Sequence, residues 1–291
     1  MAFLTARVND ALEINPPEGD QYLTVNGSNW LWTVTAVYVV SFLAIYGLSF
    51  IAPKGEKFFH YLFTVANLVG AITYYAQASD LAWSLVDTTN SFYNGATYQL
   101  FFAKYILWVV SFPTAILALG VLSGVAWTTI IFNIFLAWTW IIGYLVAAYT
   151  ETSYKWGFFG FATAAYIFLA VSTLADGLKS ATRVGVRGDY LKLAGWLNLL
   201  WILYPIAWGL TDGGNRIKLT SSFIFFGILD VLMIPVLTFA VVVLSRKWDF
   251  GKLNIAFTQY GRVAKTEGVF PEKEVLATPA AAAAPTGEQA A

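Results

Sequence analysis

Seven apolar stretches punctuate the chain, at about 28-51, 58-79, 98-121, 123-148, 155-176, 189-211 and 219-245. Each is close to the roughly 20 residues that a helix needs to cross a bilayer. Short polar connections separate them: Pro53 to Lys57, Asp80 to Gly95, the Ser123-Gly124 turn, Thr150 to Lys155, Asp176 to Asp189, and Asp212 to Lys218. The pattern predicts an all-α membrane protein, a bundle of seven transmembrane helices with no room for a soluble domain between them. Three segments result: an N-terminal segment at 1-27, the helical domain at 28-245, and a C-terminal tail at 246-291. The tail reads as largely disordered after about 265, where alanines with Pro279 and Pro285 replace the apolar pattern. Leu253 to Val263 admits a short amphipathic helix.

Composition strengthens the membrane reading, because 58% of the 291 residues are hydrophobic and only 12% charged, about half the charge of an ordinary soluble domain. The net charge is zero, so no field favours nucleic acid. There are no cysteines and a single histidine, His60, which excludes disulfides and thiolate metal sites and leaves no expected metal centre. Residues 1-27 carry Arg7, Asp10, Glu13, Glu18 and Asp20 without an apolar core, so the first helix is the expected targeting signal.

Orientation follows from the basic residues, which collect on the cytoplasmic side of short loops. Lys54 and Lys57, then Lys179, Arg183, Arg187 and Lys192, then Arg246, Lys247, Lys252, Arg262, Lys265 and Lys273 mark one side; Arg7, Lys155, Arg216 and Lys218 mark the other. The N-terminus is expected outside and the C-terminus in the cytoplasm. Asn26-Gly27-Ser28 is a glycosylation sequon on the outer side.

Charged side chains within a bilayer cost about 2.5–3.5 kcal/mol on insertion scales, so each calls for a partner or a purpose. Lys104 in helix three, Asp230 in helix seven and Asp80 at the end of helix two stand out. Opposite sign and similar depth predict an ion pair between Lys104 and Asp230, serving first to fix helix packing. Trp201, Tyr204 and Trp208 share one face of helix six beside Pro205, and Trp108 with Ser111 sits on helix three. Such aromatics at mid-helix depth suit a flat apolar ligand or simple packing. Trp30, Trp32 and Trp248 read as interfacial, Trp138 and Trp140 as packing residues, while Asn67 and Gln77 show no evident partner. No nucleophile or phosphate loop emerges, so no catalytic residue and no enzyme activity is expected.

Helix six, Trp201-Ile202-Leu203-Tyr204-Pro205-Ile206-Ala207-Trp208, and helix seven, Leu229-Asp230-Val231-Leu232-Met233-Ile234-Pro235, resemble the W-x-x-Y-P-x-x-W and L-D-x-x-x-K segments of microbial rhodopsins. Helix three, from Lys104-Tyr105 through Leu107-Trp108 to Ser111 and Pro113, resembles the family's R-Y-x-D-W-x-x-T-x-P, and Trp156 matches a tryptophan opening helix five. The resemblance spans all seven helices and implies a rhodopsin-type bundle in which Trp108, Ser111, Trp201, Tyr204, Trp208 and Asp230 form a vestigial retinal pocket.

The departures carry the functional expectation. The lysine that forms the family's Schiff base is replaced by Ile234, the primary proton acceptor by Leu107 and the cytoplasmic proton donor by Ala118, and the helix-three arginine is Lys104. The resemblance therefore implies a protein without covalent retinal and without proton pumping, with no cofactor required. It is similar in kind to the lysine-free fungal opsin-related proteins of the 30-kDa heat-shock type. Those imply a plasma-membrane protein with a stress-linked regulatory or chaperone-like action on neighbours such as the proton ATPase, in the lipid bilayer and open to homo-oligomers. Two alternatives stand beside it: a sensor or carrier holding retinal or a lipid-like ligand non-covalently, and an ion or proton conductor using Lys104, Asp230 and Asp80.

Overall fold

The computed structural model describes residues 9–52, 57–88 and 97–249. Seven long helices form the bundle. They are helix one, Val25–Ile51; helix two, Lys57–Ala78; helix three, Ala103–Ser123; helix four, Trp127–Tyr149; helix five, Lys155–Val184; helix six, Arg187–Gly213; and helix seven, Leu219–Ser245. Six are long and apolar enough to cross a membrane. Helix two, with 22 residues, reaches about 33 Å at 1.5 Å per residue. Its apolar character is diluted by His60, Asn67, Thr73, Tyr74 and Gln77, which all face the interior. Neighbours in sequence pack side by side through the first five helices, and helix seven closes on helix one.

Backbone chemistry sets the helix ends and breaks. Helix three stops where Gly124 takes a left-handed conformation (φ 67°), and helix five stops at Gly185 (φ 87°), positions where a Cβ would be strained. Pro113 inside helix three cannot donate to the Val109 carbonyl. The Trp138 indole of helix four fills the gap, donating to that carbonyl at 3.1 Å. Helix seven breaks at Ile234–Pro235, where the Trp196 indole donates to the Leu232 carbonyl at 3.1 Å. In a bilayer no water can serve such carbonyls, so neighbouring helices must. Helices five and six each contain a π-helical stretch, Ser172–Gly177 and Gly209–Gly213.

Several expected boundaries move. The run at 98-121 is helix only from Ala103. Before it, β2 (Thr97–Phe101) pairs antiparallel with β1 (Trp83–Asp87), Trp83 lying opposite Phe101. Gln21 bridges to Tyr98 on the other edge. Helix five runs on to Val184, because the charged turns beyond Asp176 lie past the apolar run and still hydrogen-bond as helix. Helix one starts at Val25. Trp248 is not an interfacial anchor but a core residue, 8% exposed, edge-on to Phe59 with ring centres 5.5 Å apart. The tail from 250 onward, with its expected disorder and amphipathic helix, lies outside the described residues.

Candidate functional site

Asp230 lies at the centre of the bundle, fully buried, one turn before the break in helix seven. Three neutral donors surround its carboxylate: Tyr74 from helix two at 2.6 Å, Tyr204 from helix six at 2.6 Å and the Trp108 indole of helix three at 2.9 Å. Its backbone carbonyl accepts from Tyr38 of helix one at 2.9 Å. Tyr38 reaches this depth because Gly70 on helix two leaves room for its ring, which a Cβ there would strike. Four helices thus converge on helix seven through one residue.

Lys104 does not pair with Asp230. Its ammonium binds Asp212 at 2.5 Å, both side chains almost fully buried. Asp212 sits in the π-helical end of helix six, which extends that helix through a stretch expected to be loop. Lys104 lies near the start of helix three, level with that end, whereas the Asp230 carboxylate is already occupied by three hydrogen bonds. Tyr105 also donates to Asp212 at 2.5 Å, Trp208 donates to the Tyr105 hydroxyl at 2.9 Å, and the buried Lys155 donates to the Asp212 carbonyl at 3.3 Å. A cavity of about 10 Å³, lined by Tyr74, Gln77, Gln99, Lys104, Asp212 and Ser222 among others, lies between this cluster and Tyr74, a donor to Asp230, and is large enough for about one water.

Asp80, just past helix two, faces both oxygens toward the Gln99 amide at 3.1 Å. Burial drives its carboxyl up to about 6 from the usual 3.8, Gln99 offsets part of that, and nearby Glu18 adds to it. Asp80 lies at the hairpin end of the bundle, apart from Asp230. Asn67 does have a partner, Thr238 of helix seven at 2.9 Å, and Gln77 donates to the Thr73 carbonyl at 3.2 Å.

The aromatic residues expected as a pocket do assemble. Trp108, Trp201, Tyr204 and Trp208 are each 2% exposed or less, as is Trp140. Among them stands Phe112, which no sequence signal singled out. Its ring lies 6.3 Å from Trp108 and 6.0 Å from Trp201, tilted from each by 29° and 37°, and 5.1 Å from both Trp140 and Tyr204. Ile234, at the position where the resemblance places a lysine, is fully buried, and so is Leu107; Ala118 is 4% exposed. Ser111 Oγ and Trp201 Nε1 are buried with no hydrogen-bond partner. Among the described residues no three His, Asp or Glu side chains come together to hold a metal.

Comparison with known proteins agrees with this fold. Residues 26–245 match the family described as Bacteriorhodopsin-like protein. The opsin-like protein carO of Fusarium fujikuroi is 33% identical over 280 residues, 92% of this chain and 90% of that protein. The 30 kDa heat shock protein of Saccharomyces cerevisiae is 27% identical over 293 residues, 91% and 87% of the two chains. Among solved structures, a light-driven proton pump from Leptosphaeria maculans superposes with a TM-score of 0.75 at 26% identity, covering 80% of this chain and 99% of that one. With its helices, its central aspartate and its aromatic cage in this arrangement, the chain is an integral membrane protein of microbial rhodopsin fold and belongs to the bacteriorhodopsin-like family.

Proposed function

We propose that this protein is a non-photochemical member of its family, acting through contacts with other membrane proteins or lipid instead of a light-driven cycle. The observation that carries this reading is the filled pocket. A buried isoleucine, Ile234, stands where an amine would have to condense with an aldehyde, and Phe112 packs against both Trp108 and Trp201. The side chains present do not fit covalent retinal, because the amine is lacking. Leu107 and Ala118 cannot take up or release a proton, so pumping has no acceptor or donor at those positions. Asp230, held by three neutral donors, serves as a packing centre.

Likeness to the 30 kDa heat shock protein supports a stress-linked role, as a regulator or chaperone-like partner of plasma-membrane proteins such as the proton ATPase, and not an enzymatic one. The distribution of basic residues supports a cytoplasmic C-terminus and an outer N-terminus. An absorption spectrum of the purified protein before and after adding all-trans retinal tests the first part: no new visible band is expected, and a saturable red-shifted band would overturn it. Co-purification of the ATPase with the full-length chain from stressed cells tests the second; its absence under every stress tried would remove that partner.

A second reading, non-covalent binding of a flat ligand within the aromatic cage, is favoured by the orphaned Ser111 Oγ and Trp201 Nε1.

A further inference from the structure

Beyond helix seven the chain turns back, and Trp248 is tucked into the end of the bundle. Its ring stands edge-on to Phe59 at the start of helix two, and its indole nitrogen donates to Asp189 Oδ2 at 3.1 Å, in the first turn of helix six. Asp189 is held in turn by Lys192 at 3.2 Å. On its inner side Trp248 walls an apolar cavity of about 10 Å³, enclosed by residues of helices two, three, six and seven including Phe59, Ala118, Leu122, Leu197 and Val241. On its outer side it lines an open cleft of about 420 Å³ beside the turn between helices five and six, with Lys247 and Asp249. A single side chain therefore separates an aqueous cleft from the dry interior.

We propose that Trp248 and Asp189 form a latch that closes this end of the bundle, so that displacing the segment after helix seven admits water or an apolar molecule to the seam lined by Ala118. The indole is large enough that its removal joins cleft and cavity. The Trp248 side chain is held by its hydrogen bond to Asp189 and its edge-on contact with Phe59, both of them breakable without unfolding a helix, while its backbone amide bonds the Ser245 carbonyl. The latch lies immediately before residue 250, from which the chain runs on to Ala291. This inference does not depend on the function proposed above.

The chain contains no cysteine, which makes the test direct. A single thiol is placed by Ala118→Cys in the full-length protein, and its reaction with a small water-soluble methanethiosulfonate is timed. Labelling should be at least tenfold faster when Trp248→Ala is added and intermediate with Asp189→Ala, which spares the ring contact. A control thiol introduced by Ala207→Cys, buried in the other half of the bundle, should stay slow in both backgrounds. Equal rates for the thiol at position 118 with and without the latch residues, fast or slow, would overturn the proposal, as would parallel acceleration of the control. If Trp248→Ala does not fold, Asp189→Ala and Trp248→Phe decide by the same criteria.

Discussion

The two halves of the bundle are built on opposite principles. Toward the β1–β2 hairpin the interior is polar and linked: Asp230 with Tyr74, Tyr204 and Trp108, then Lys104, Asp212, Tyr105 and Trp208, then Gln99 and Asp80. Toward the opposite end, the seam between helices two, three, six and seven is lined by alanine, leucine, valine and aromatic side chains. Hydroxyls near it, such as Thr114, Ser123 and Ser245, bond within their own helices. A linked polar half gains specificity where buried donors meet a defined acceptor, as at Asp230 and Asp212, but it is brittle. An apolar half yields more gradually, by cavity size.

The sharpest break in the comparison should come at Asp230. Asp230→Ala leaves three buried donors without an acceptor at roughly 1–3 kcal/mol each, so a loss on the order of 5 kcal/mol, or outright failure to fold, is expected from thermal unfolding in detergent. A loss under about 1 kcal/mol would show that these bonds do not organise the core. Next is Asp212→Asn, which strips Lys104 of its carboxylate. Stranding a buried ammonium costs about 3–5 kcal/mol, and Lys104→Met in the same background should recover much of it. In the apolar half, Leu119→Ala should cost about 2–4 kcal/mol, set by the void it leaves. Thr238→Val, which removes the partner of Asn67, should cost only about 1 kcal/mol.

Asp80 gives the polar half a pH dependence. Because its carboxyl is raised to about 6 against an ordinary 3.8, the folded protein holds that proton more tightly than the unfolded chain. Stability is therefore expected to fall as pH rises from about 4 to about 6 and to level off above it. Comparing melting temperatures across that window with those of Asp80→Asn should show the slope in the parent and a flatter profile in the variant. A parent that gains stability over the window through this residue would reverse the sign of the argument.

Apolar runs made the seven helices legible in the sequence, because the bilayer demands length and hydropathy from each. What escaped was local geometry. The hairpin strands Trp83–Asp87 and Thr97–Phe101 carry β-branched and aromatic residues, yet the second merges into the apolar run of helix three. Asp212 looked like a loop residue because a π-helical stretch of 5 residues, too short to show a period, carries helix six past the apolar segment. Lys104 consequently received the wrong aspartate. Phe112 was invisible for a different reason: one more phenylalanine in a membrane helix carries no signal until its neighbours are known.

Gln99 ties three distant parts of the chain together. Its carbonyl oxygen accepts from the Leu23 amide at 2.6 Å, just ahead of helix one, while its amide nitrogen faces Asp80 beyond helix two. In a chain made from its N-terminus this clasp cannot close until residue 99 has left the ribosome and the first two helices are already threaded. Until residue 99 arrives, the Leu23 amide ahead of helix one and the Asp80 carboxylate beyond helix two lack this shared partner, although Ser28 can already bond the Ala78 carbonyl. Locking of the segment ahead of helix one to the end of helix two is thus metered by translation of the 76 residues that separate Leu23 from Gln99.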